Sequence, residues 1–248
     1  MISAVDLERR LAGLRPIGRG ERGTTRLAWT PEDAAAGEWF AEQAADTGLA
    51  VERDPAGNLW AVPDADPPWW AAGSHLDTVR GGGEYDGALG VAAAFEVAAR
   101  AERPLAVLSF ADEEGGRWNT PTFGSRALVG RLDVGDALAR RDDDGVTLGE
   151  AIAAAGVDPS RIGEAPERLR LLRGFLELHI DQSRAVAAVG SPVGVVASLA
   201  SRTRVQAELS GAPDHAGTTM RACRPAVAPR PKGQGGRVLA EGGAPARK

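Results

Sequence analysis

Apolar residues in this chain come in short runs that end on polar clusters, and their lengths and periods predict strands alternating with helices. Thr30-Pro31-Glu32-Asp33 predicts a helix start, with a hydroxyl N-cap, proline at the first helical position and acids at the positive end of the dipole. That helix is expected to run to about Gly48. Val51 to Val62 predicts two short strands around the turn Asp54-Pro55-Ala56-Gly57. Trp69 to Gly73 and Leu105 to Phe110 read as buried strands that deliver polar residues at their C-terminal ends. Between them, Asp86 to Ala101 is apolar on nearly every face, which predicts a helix buried between layers. Leu128 to Gly156 carries a further helical pattern centred on Leu148 to Gly156, and Leu172 to Ile180 reads as a strand running into Asp181 and Gln182. Alternating strands and helices of this kind place the chain in the α/β class. From Pro192 the pattern changes to the strands of a second, smaller domain, with Val205, Ala207 and Leu209 alternating at period two.

Composition narrows the function classes. With 248 residues, 43% of them hydrophobic, the chain can bury a substantial core. Its net charge of −5 offers no basic footprint for nucleic acid or anionic lipid, so the expected partner is a small molecule. The single cysteine, Cys223, excludes an intrachain disulfide. No apolar signal segment opens the chain and no apolar stretch reaches membrane-spanning length, so the expected location is the cytoplasm. Charge is unevenly spread. Residues 220 to 248 hold seven of the 29 basic residues and one acid, Glu241, so this tail carries +6 while the preceding 219 residues carry −11.

Polar clusters at the ends of predicted strands are where chemistry is expected. His75 and Asp77 follow the Trp69 strand, and their i, i+2 spacing in extended chain puts both side chains on one side. Asp77 is expected to accept from the imidazole N–H and so choose the nitrogen that faces a metal; a surface turn histidine is the alternative. Asp86 follows the glycines 81 to 83 and opens the buried helix, where a carboxylate also serves as an N-cap. Asp112-Glu113-Glu114 comes straight off the Leu105 strand. Acids there are costly unless they meet cations, although a solvated acidic loop has the same composition. His179 and His215 complete the histidines of the chain. Taken together, these imidazoles and carboxylates suit Zn²⁺, Mn²⁺ or a similar transition metal and not calcium.

Six segments occur in one order: Gly73-Ser74-His75-Leu76-Asp77-Thr78, Gly82 to Gly90, Asp112 to Gly115, Phe123 to Ala127, Leu176 to Gln182, and His215 to Thr219. This series resembles the N-carbamoyl-L-amino-acid hydrolase and allantoate amidohydrolase family, a branch of the binuclear-metal aminoacylase and carboxypeptidase superfamily. The resemblance implies a mixed-sheet, zinc-exopeptidase-like catalytic domain over 1 to 190, the start of a lid and dimerisation domain over 191 to 219, and a divergent tail over 220 to 248. It implies two divalent ions, zinc or manganese, with His75 and His179 on one, Glu114 on the other and Asp86 bridging. It makes Glu113 the general base, Asp77 the partner of His75, Gln182 a substrate contact, and His215 an oxyanion donor that also touches substrate. The implied reaction is hydrolysis of a linear ureido or amide C–N bond with release of ammonia and carbon dioxide, by a homodimer. His179, where peptidases and deacylases of the superfamily commonly have a carboxylate, favours ureido substrates over the alternative of an aminoacylase or dipeptidase.

Two departures accompany the resemblance. Asp181-Gln182-Ser183 stands where the family usually has Glu-Gln-Gly, and after Thr219 neither a lid arginine nor a further metal-ligating histidine follows the pattern. The simultaneous change of composition leads to the expectation of a truncation, or of a frameshift near codon 220, with an incomplete second metal site and a non-catalytic remnant as one outcome. A solvated basic tail on an intact small protein is the competing expectation.

Overall fold

The computed structural model describes residues 2–198. The expected strands around Val205 to Leu209, His215 and the basic tail lie outside the described residues. In chain order the elements are α1 (Ala4–Leu14), the hairpin β1 (Arg19–Gly20) and β2 (Gly23–Thr24), α2 (Pro31–Asp46), β3 (Ala50–Arg53), β4 (Leu59–Val62), β5 (Trp69–His75), α3 (Ala88–Ala98) and β6 (Leu105–Phe110). Then come α4 (Phe123–Leu128), α5 (Val134–Ala139), α6 (Leu148–Ala154), a 3-10 segment (Pro159–Leu171), β7 (Leu172–Leu176) and α7 (Ala185–Ala188). Residues Met1–Ala185 form one compact unit. Among the described residues, no helix is long and apolar enough to cross a membrane.

The five-stranded sheet has the order β3-β4-β6-β5-β7. β3 to β4 and β4 to β6 are antiparallel, whereas β5 is parallel to both β6 and β7. The α/β class and mixed sheet are as expected. Alternation along the strands sorts side chains to two faces. Trp60 and Val62 of β4, with Ala106 and Leu108 of β6, pack with Leu128 in one cluster. Ala61 and Val107, one residue out of phase, join the opposite cluster with α1, α2 and α3.

α3 is the buried helix. Ala88, Ala92 and Ala94 let it lie close to its neighbours, while Phe95 meets Trp39 and Phe40 of α2 edge-on at 6.3 and 5.0 Å. The α2 start follows its signature, since Thr30 accepts from the Asp33 N–H and Pro31 occupies the first turn. Two expectations fail. β7 stops at Leu176, three residues before His179, because Glu177 onward leaves the ladder with β5. Pro192 to Ser198 forms no strand; an apolar run becomes a strand only where a neighbour accepts its backbone hydrogen bonds.

A buried polar knot connects the sheet to the acidic loop. Asp54 accepts from the backbone N–H groups of Ala56 and Asn58, from the Asn58 amide and from the Trp60 indole. Asn58 in turn accepts from Ala111 N–H and donates to the Gly124 carbonyl. A Cβ on Gly124 would lie 1.9 Å from the Asn58 amide oxygen, so glycine there is what lets α4 approach. The segment that carries Asp112 to Glu114 is thus anchored at both flanks.

Candidate metal centre

The parallel strands β5 and β6 finish in register, His75 opposite Phe110, and the chain continues from each into a polar loop. This brings His75 and Asp77 against Glu113 and Glu114 at the C-terminal ends of parallel strands, the usual position of sites in such sheets. Asp77 is buried, and its two carboxylate oxygens accept from the Glu113 N–H at 3.0 Å and the Glu114 N–H at 3.1 Å. It therefore clamps the acidic loop. Its carboxylate stands 3.7 Å from His75 Nδ1, whereas its backbone carbonyl oxygen lies 2.9 Å from that nitrogen. The expected carboxylate partner of the imidazole is replaced by the carbonyl of the same residue, since the side chain is engaged by the two N–H groups. The consequence for the ring is the same: Nδ1 faces the backbone and Nε2 faces the site.

His179 repeats this arrangement, with Nδ1 3.0 Å from the Ile180 carbonyl oxygen and Nε2 3.1 Å from Asp86 Oδ1. His75 Nε2 is 3.7 Å from the same Asp86 oxygen and 3.7 Å from Glu113 Oε2. One ligand atom from each of His75, Asp86 and His179 lies within 4.8 Å of the others, and the two rings are stacked at 6.2 Å. Gly87 makes the approach possible. It adopts φ 64°, and a Cβ there would come within 2.4 Å of the His75 carbonyl and 2.6 Å of its ring.

These residues fit a divalent transition metal. Ligand atoms at 2.0–2.2 Å from a tetrahedral ion stand roughly 3.3–3.6 Å from one another, and the separations here are 3.1 and 3.7 Å. His75 Nε2 is buried with no hydrogen-bond partner among the described residues, as a nitrogen reserved for an ion would be. Electrostatics agree. Burial works to lower the His75 pKa, but Asp86, Asp77 and Glu113 outweigh it and raise it to about 9, so the surrounding acids favour positive charge at this point. Contact with His75 holds Asp86 below the ordinary carboxylate range. Burial raises both Glu113 and Glu114, with His75 opposing in each case.

Other expected residues stand differently. Glu114 is not in the converging trio, although Asp86 and Glu113 add to the rise in its pKa. Gln182 donates to Asp86 Oδ2 at 2.7 Å, so it holds the carboxylate that the two histidines share. Sequence reasoning missed Asn58, Gly87 and Asp33. No local signal marks Asn58, whose partners are 53 and 66 residues away; the positive φ of Gly87 follows from closure against His75.

Asp33 and Asp77 both line a cavity of about 310 Å³, with Trp29, Leu76, Phe110 and Arg53. Asp33 accepts from the Trp29 N–H at 2.8 Å. Although its rim stays partly exposed, burial raises its pKa from an ordinary 3.8 to about 7, and Asp77 adds to the rise. The folded state therefore binds more protons than the unfolded state between pH 4 and pH 7, and this group makes stability fall as pH rises through that window and level off above it. Asp33→Asn keeps an acceptor for Trp29 and removes the titration. Urea unfolding at pH 5 and pH 8 is expected to show a loss that is larger in the wild type than in the variant by a few kcal/mol before solvent screening, since the raised His75 pKa lowers stability over part of the same range in both; equal losses in both proteins would contradict the assignment.

No protein-family model matches the chain. It is 37% identical over 230 residues to the N-carbamoyl-L-amino acid amidohydrolase of Geobacillus stearothermophilus, an overlap of 88% of this chain and 56% of the relative. It is 32% identical over 207 residues to the allantoate amidohydrolase of Bacillus subtilis, covering 79% of this chain and 50% of the relative. Among solved structures, a hydantoinase/carbamoylase family amidase from Burkholderia ambifaria superposes with a TM-score of 0.66 at 34% identity, over 90% of this chain and 56% of that one. The chain spans about half the length of the curated relatives it matches.

Proposed function

We propose, from the chain's membership of the N-carbamoyl-amino-acid hydrolase and allantoate amidohydrolase family, that its site belongs to a metal-dependent hydrolase of linear ureido C–N bonds. The observation that carries this reading is the convergence of His75, Asp86 and His179 within 4.8 Å, with Glu113 Oε2 3.7 Å from His75 Nε2. His75, Asp86 and His179 would hold one divalent ion, zinc or manganese, and Asp86 with Glu114 would help hold a second. When bound, such ions lower the pKa of water and polarise the carbonyl of a ureido carbon, which is a poor electrophile.

Glu113 is the general base. Burial raises its pKa above the ordinary carboxylate value, which suits a group that takes a proton from water and returns it to the leaving nitrogen. Asp77 aims Glu113 by holding its backbone N–H. Gln182 holds Asp86 and faces the substrate, and His215 donates to the developing oxyanion. The division into a catalytic domain over 1 to 190, a lid from 191 and a basic tail from 220, a cytoplasmic location and a homodimeric assembly belong to the same reading. Products of an N-carbamoyl substrate would be ammonia, carbon dioxide and an amine or amino acid.

The decisive experiment is metal analysis of purified protein together with ammonia release from N-carbamoyl amino acids and allantoate. Metal-dependent ammonia release is expected. Turnover of N-acetyl amino acids or dipeptides without the ureido substrates would move the site to the acylase and peptidase branch, and absence of bound metal would remove the reading.

A further inference from the structure

His179 lies beyond the last strand that could hold it. The β5–β7 ladder ends with Ala72 opposite Leu176, and residues 177 to 180 have no strand structure. Yet His179 Nε2 stands 3.1 Å from Asp86 Oδ1, and about 40% of its side chain is exposed. Something other than sheet pairing must fix it. Two independent contacts meet at this point. Ser74, buried in β5 next to His75 and directed to the other face by strand alternation, donates its hydroxyl to Glu177 Oε1 at 2.5 Å. Gly90, in the first turn of α3, makes room for the same segment: a Cβ there would come within 2.5 Å of the Leu178 carbonyl oxygen and 2.8 Å of Ser74 Cβ.

We infer that Ser74 and Glu177, seated over Gly90, are positioning residues that fix His179 and thereby set the affinity of the metal centre. The inference rests on the metal-site reading above. The mechanism is geometric. A serine adjacent in sequence to one histidine ligand holds a glutamate two residues before the other, so the two imidazoles are registered to each other across 104 residues of sequence. The hydrogen bond joins the hydroxyl of a fully buried serine to a carboxyl oxygen, so losing either partner leaves a polar group unpaired in the sheet. Partners that orient ligands without touching the ion typically change affinity by about 10–100-fold.

The test is Co²⁺ titration of the intact chain, read by visible absorption, for wild type, Ser74→Ala, Glu177→Ala, Glu177→Gln, His179→Ala and the Ser74→Ala/His179→Ala double variant. Urea unfolding of each controls for folding. Ser74→Ala and Glu177→Ala are expected to weaken Co²⁺ binding about 10–100-fold. Glu177→Gln, whose amide oxygen still accepts from Ser74, is expected to recover most of the affinity. In the His179→Ala background, Ser74→Ala is expected to have no further effect, because its action runs through that ring. Wild-type affinity in Ser74→Ala, or an equal loss with and without His179, would overturn the inference while leaving the metal site standing. A wild-type chain that binds no Co²⁺ would instead remove the metal reading itself, and this inference with it.

Discussion

Glu113→Gln is expected to lower metal-dependent ammonia release by about 10²–10⁴-fold, the usual contribution of a general acid–base group, while leaving metal content unchanged. The substitution keeps the shape of the side chain and the backbone N–H that donates to Asp77 Oδ1, so the acidic loop stays clamped. What it removes is the proton acceptor. Glu113 is not among the three groups whose ligand atoms converge, so loss of its charge leaves His75, Asp86 and His179 in place. Steady-state ammonia release measured beside metal content on the same preparation checks both halves. Retained turnover would show that another group moves the proton, and loss of metal would make Glu113 a ligand.

Asp86→Ala is expected to reduce divalent-metal affinity by at least about 100-fold, since even partners outside the coordination shell cost about 10–100-fold. Asp86 Oδ1 is the atom common to both histidines, and its other oxygen accepts from Gln182. Without it, the two Nε2 atoms lose the carboxylate oxygen they share. The same substitution removes the contact that raises the His75 pKa most, so that pKa is expected to fall from about 9. Isothermal titration with Zn²⁺ and histidine proton resonances followed against pH measure the two effects. Unchanged zinc affinity would exclude Asp86 from the site.

The elements that sequence pattern located correctly are the ones whose signals are local. The Thr30 cap and Pro31 mark the α2 start, the Asp54 to Gly57 turn separates β3 from β4, and the runs Trp69 to Gly73 and Leu105 to Phe110 are buried strands. His75, Asp77, Glu113 and Glu114 were legible as site candidates because each follows directly from such a strand. His179 was legible as a residue but not in its setting, since apolar pattern alone extended β7 to it and the ladder with β5 ends earlier. The family resemblance makes Gln182 a substrate contact, while its hydrogen bond to Asp86, 96 residues away, has no trace in the pattern around it. Asp33 carries an even plainer lesson. In sequence it is a first-turn acid of an ordinary helix, and only packing around it raises its pKa to about 7.

Local pattern alone lays out the chemistry: imidazoles and carboxylates in ordered clusters, placed at the ends of strands whose existence follows from hydrophobic period, in a series that resembles one hydrolase family. Tertiary structure alone decided which of them meet. It closed the 104-residue separation of His75 and His179 onto one Asp86 oxygen, turned the Asp77 carboxylate to the N–H groups of the acidic loop, and let Gly87 and Gly90 admit the approaching chain. The physical reason is range. Caps, turns and periodicity act over a few residues, whereas a metal centre is a set of distances between segments, and those are set by sheet register and close packing.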